Sequence, residues 1–94
     1  MKTFMVIAKF KVGVTPEQIR ELIPAEQVQA EILKRKGLIG EIKVAMPKRT
    51  VFIEANGESE EEAEASIRSL PLAKIWDIEL FETTPPAGAA SVIQ

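Results

Sequence analysis

The chain contains no cysteine and no histidine. The first absence excludes a disulfide framework, a thiolate nucleophile and a cysteine-based zinc site. The second removes the commonest proton shuttle near neutral pH and the commonest transition-metal ligand. No metal site and no cofactor is expected, and acid–base chemistry falls to carboxylates or lysines. An excess of positive charge is lacking too: 12 basic residues face 14 acidic ones, a net charge of −2. Phosphate backbones demand a basic face, so nucleic acid is not an expected partner. Long apolar runs are missing. Nothing approaches the roughly 18 apolar residues of a membrane span. Phe4–Ala8 is shorter than a signal-peptide core of about 7–15 residues, and Lys9 and Lys11 break the apolar character immediately after it. A cytoplasmic protein with no membrane partner is expected.

What is present fits one compact domain over residues 1–83 and a tail over 84–94. Hydrophobic residues make up 46% of the 94 and charged ones 28%, which suits a folded chain with a moderate core. Lys2–Val12 alternates, with Phe4, Val6, Ala8, Phe10 and Val12 on one face and Thr3, Met5, Ile7, Lys9 and Lys11 on the other. A helix comes next, with Thr15 as its cap, Pro16 at its first position and Gln18 as capping-box partner. Ile19, Leu22 and Ile23 form its first apolar stripe. Pro24 should kink or restart it, with Ala25, Val28, Ile32 and Leu33 continuing an apolar face to a stop at Gly37.

Leu38–Met46 and Thr50–Ala55 read as strands joined by a hairpin at Pro47-Lys48-Arg49. Ser59, with Glu62 as box partner, opens a second helix that buries Ala63, Ile67 and Leu70 and ends at Pro71. Ile75–Glu82 alternates again, with Trp76, Ile78 and Leu80 against Asp77, Glu79 and Phe81. Trp76 is assigned to the core beneath the second helix. The tail has no period and is expected to be loose or draped on a neighbour. The order is β-α-β-β-α-β, an α+β ferredoxin-like arrangement with two helices on one face of an antiparallel sheet. The apolar first and third strands belong in its centre and the charged second and fourth at its edges.

The strand parities place Met5, Ile7, Lys9, Glu41, Lys43, Phe52, Glu54, Asp77, Glu79 and Phe81 on the face away from the helices. An apolar centre ringed by both signs of charge is either an exposed sheet face or a surface covered by a second copy. RNA-recognition motifs share the strand order but stack bases on two or three aromatics of the central strands, where this face offers Phe52 alone. Gly37–Gly40 enters a strand, unlike the Gly-x-x-Gly loop joining two helices in KH domains.

Two stretches carry a family resemblance. Leu70–Pro86, "LPLAKIWDIELFETTPP", resembles the C-terminal part of muconolactone isomerases, in which Leu-Pro-Leu leads into a strand with Asp-Ile-Glu and a proline-bearing tail. "ILKRKGLIGEIKVA" resembles that family's helix end, glycine and second strand. The resemblance implies a dimeric α+β barrel of two sheets, in some members built into larger rings, with ligands in a pocket at the barrel. It departs at the third strand: the family's Gly-Arg-Tyr-Ala-Asn stands here as Lys48-Arg49-Thr50-Val51-Phe52, and the histidine of its tail is missing.

Proton transfer beside a carbonyl needs a base in reach and a group that stabilises the oxyanion. Glu41, Glu54, Asp77 or Glu79 could serve as base and Lys9, Lys43 or Arg49 as cation, although such charges are commonly plain cross-strand pairs. Glu54 with Lys9 is the preferred catalytic pair. Met5, Ile7, Glu41, Lys43, Arg49, Phe52, Asp77 and Glu79 are the expected ligand-binding residues. The function expected is a cofactor-independent isomerase acting on a small cyclic or carboxylated compound; the alternative is a non-catalytic ligand-binding or oligomerising barrel.

Overall fold

The parity of the first strand decides the layering. In β1 (Lys2–Phe10), Phe4, Val6 and Ala8 are fully buried, while the residues between them are half-buried or exposed. The same two-residue period runs through β3 (Thr50–Gly57), where Val51, Ile53 and Ala55 face inward. The structure is a computed structural model that describes residues 1–85. The remainder of the expected tail, 86–94, lies outside the described residues.

β2 (Ile39–Ala45), β3, β1 and β4 (Trp76–Thr83) form one antiparallel sheet in the order β2-β3-β1-β4. The two apolar strands are central and the two charged ones are edges, as the patterning predicts. α1 (Pro16–Arg35) and α2 (Glu60–Arg68) cover the inner face. Trp76 seals the core at 2% exposure, its ring edge-on to Phe10.

Local chemistry fixes the helix ends. Thr15 and Gln18 exchange both bonds of the capping box. At the other end Gly37 takes φ +74°, a conformation that suits glycine. There the amides of Leu38 and Gly37 donate to the carbonyls of Leu33 and Lys34 at 2.9 and 3.0 Å. Ser59 accepts from the Glu62 amide, but the Glu62 carboxylate accepts from Glu58, one residue before its expected capping-box partner.

Three expectations need correction. α1 runs unbroken through Pro24 instead of restarting there. Pro24 is exposed, so the Arg20 carbonyl that it leaves without a donor can bond water. In consequence the stripe continues at helical spacing through Glu26, Ala30 and Leu33, which are buried, whereas Val28 and Ile32 stand 64% and 40% exposed. Val12 is wholly exposed, because β1 ends at Phe10 and the chain turns at Gly13 with φ +90°.

Candidate functional site

The helix layer covers the sheet unevenly. Where α1 crosses the β2–β3 end it presents Ala30, a side chain too small to fill the space. A cavity of about 500 Å³ remains between α1, the sheet and the short 3-10 turn Pro71–Ile75. Its wall is largely apolar, with Phe10, Ile23, Ile42, Val51, Leu72 and Trp76 among the side chains that line it. Gln27, Glu31 and Lys34 are exposed and sit toward solvent, and exposed Val44 and Met46 flank the β2 side.

One carboxyl group enters this apolar space. Glu26 is only 9% exposed, and its Oε1 accepts the Leu72 amide at 2.9 Å. That amide is free because it stands in the first turn of a helical segment, where backbone donors have no partner within the helix. The second oxygen of Glu26 has no hydrogen-bond partner among the described residues. Burial pushes the carboxyl above the ordinary glutamate range, and the Leu72 amide pulls part of the way back by favouring the charged form. One turn later Gln29 donates to the Ser69 hydroxyl at 3.0 Å, so α1 is tied twice to the connection between α2 and β4. The Trp76 indole N–H is a buried donor without a partner among the described residues.

The outer face is shallower. Met5, Glu41, Lys43, Phe52 and Glu54 come together around a depression of about 130 Å³. A bulge between Ile39 and Ile42 turns Glu41 onto this face, where it pairs with Lys43 at 3.7 Å. Gly40 packs closely beside it: a Cβ there would lie 2.8 Å from Glu54 Oε1, so that exposed carboxylate would have to swing aside. Ile7 and Glu79 are cross-strand neighbours, as are Lys9 and Asp77, further along the same face.

The structure does not bring Glu54 to Lys9. Lys9 is opposite Thr50 and Glu54 is opposite Met5, four positions away along β3, or about 13 Å at the usual rise of a strand. Arg49 is committed elsewhere. It adopts the left-handed conformation at φ 50°, donates to the carbonyls of Lys11 and Val14, and lies 6.0 Å from the centre of the Phe10 ring. Its role is to fasten the β2–β3 turn to the loop before α1.

Against solved structures, the chain is similar to the crystal structure of muconolactone isomerase, with TM-score 0.72 and 22% identity over 90% of this chain and 91% of that one. The chain has a muconolactone isomerase-like fold. At that identity the likeness extends to the fold alone. No family model matches the chain, and no curated protein does.

Within this muconolactone isomerase-like fold, sequence reasoning found the outer-face cluster and missed Glu26. The signal was present: Glu26 comes after Ile19, Leu22 and Ile23 at helical spacing, so an unbroken helix must turn it inward. Assuming a restart at Pro24 concealed it. No helix among the described residues is long and apolar enough to cross a membrane.

Proposed function

We propose that the chain is a cofactor-free isomerase that relocates a proton on a small cyclic compound held in the inner cavity, with Glu26 as the proton-transferring group. The observation that carries this reading is a buried carboxyl with one oxygen uncommitted, in an apolar cavity large enough for a ligand. The ionised carboxylate takes a proton from the carbon beside a carbonyl, and the C–H electrons pass into an enolate. The carboxylic acid so formed returns the proton to another carbon of the conjugated system, which leaves Glu26 ionised again. A carboxyl pushed upward by burial suits both halves, as a stronger base and a group that holds its proton between steps.

Hydrogen–deuterium exchange into unsaturated cyclic carbonyl compounds, monitored by NMR, tests the reading. Exchange should fall by about 10²–10⁴-fold in Glu26→Gln and be unaltered in Glu54→Gln. Equal exchange by Glu26→Gln and the parent chain would remove Glu26 from the chemistry.

A second reading concerns assembly and rests on the outer face. Phe52 and Phe81 are 37% and 47% exposed around half-buried Met5 and Ile7. A second copy packed sheet to sheet would cover them, as the sequence resemblance implies, and would enclose Glu41, Lys43 and Glu54 between the sheets. Sedimentation of the parent chain and of Phe52→Glu reads this directly. A dimer that the substitution dissociates supports the packing, and a monomeric parent chain ends it.

A further inference from the structure

The charge and size of the inner cavity narrow what it can hold. We infer that the cavity takes an uncharged, largely apolar compound of two or three rings, presenting one hydrogen-bond donor to Glu26, in preference to a small carboxylated one. The inference rests on the proposed function only in placing the ligand in this cavity.

Volume is the first argument. About 500 Å³ falls within the range, ~300–1,000 Å³, of pockets that enclose drug-sized ligands. A single small ring would leave much of the apolar wall wet, and the wall remains apolar out to Val44 and Met46 at the open side. Charge is the second. The deep part of the cavity holds the Glu26 carboxyl and no cation among the described residues; the lining cation, Lys34, is exposed. Glu31 is exposed as well and already bonded to Arg35 at 3.1 Å. A ligand carboxylate at depth would be stripped of water beside a like charge, with no buried partner to compensate. An uncharged ring system with one hydrogen-bond donor for the carboxylate meets no such cost.

Two dyes that share one aromatic skeleton separate these cases: N-phenylnaphthylamine, which is neutral, and anilinonaphthalene sulfonate, which carries one anion. Trp76 is the sole tryptophan, so energy transfer from it reports dye bound to the chain, and the cavity-filling variants show whether the dye sits in the cavity that Trp76 lines. At about pH 8, the neutral dye should quench Trp76 and bind at least about tenfold more tightly than the sulfonate. Glu26→Gln, which removes the charge and keeps the shape, should narrow that gap. Ala30→Phe, which fills the cavity, should weaken the neutral dye at least about tenfold; Ile42→Phe on the edge strand is the second filling variant should the first fail to fold. Equal or tighter binding of the sulfonate overturns the inference, as does neutral dye bound without Trp76 quenching or unaffected by filling. Glu26-dependent proton exchange in a chain that excludes the neutral dye would sink the inference and spare the proposed function. Dye binding as described, with exchange unchanged in Glu26→Gln, would do the reverse.

Discussion

The two faces of the sheet are made by the same strands and differ in what their acids experience. On the outer face Glu41, Glu54, Asp77 and Glu79 stand exposed to water. On the inner side a single acid, Glu26, is carried by the helix into apolar surroundings, where burial alters its proton affinity. A cluster of charges is conspicuous in a sequence because it is solvated. The group with perturbed chemistry is the one that looks misplaced on an apolar stripe.

The largest test of this contrast is mechanical. Trp76→Ala should cost about 3–5 kcal/mol in denaturant unfolding, because it empties a site that is 2% exposed. Phe52→Ala on the outer face of the unassociated chain should cost under about 1 kcal/mol. Similar costs for the two would erase the distinction between faces.

Glu26 sharpens the comparison next. Glu26→Ala leaves the buried Leu72 amide without its acceptor and should cost about 1–3 kcal/mol, whereas Glu26→Gln keeps an acceptor oxygen. The sign of the pH effect is set by the upward displacement of the carboxyl. The folded chain holds the Glu26 proton more tightly than the unfolded chain, so this contribution is full at low pH. It is lost as pH rises from the ordinary glutamate range through the elevated folded value. Glu26→Gln should flatten that part of the stability profile, as seen by thermal melts across pH. A profile identical to that of the parent chain would show that burial leaves the group unperturbed.

Smaller effects belong to the helix caps. Thr15→Ala removes one arm of the α1 capping box and should cost about 1 kcal/mol. Arg49→Gly relieves the positive φ but loses two carbonyl contacts, so its stability should stay within about 1 kcal/mol of the parent.

Most of the fold was legible because each strand repeats every two residues and each helix carries its own cap. Strand order came from which two strands are the most apolar, and the composition of the outer face came from parity. Contacts along the strands were not legible. Parity shows that Lys9 and Glu54 share a face, but only the pairing register shows that four positions separate them. The bulge at Gly40-Glu41 carries no local pattern beyond its glycine. Glu26 was obscured by giving Pro24 more power to break a helix than it has at an exposed position.

The most direct test of the central claim is a carbon-detected NMR titration of the Glu26 side-chain carboxyl in the folded chain. The account predicts a midpoint above the ordinary glutamate range, moved further upward in Leu72→Pro, which deletes the amide that favours the charged form. A midpoint within the ordinary range, indifferent to that substitution, would contradict a buried acid poised in the cavity.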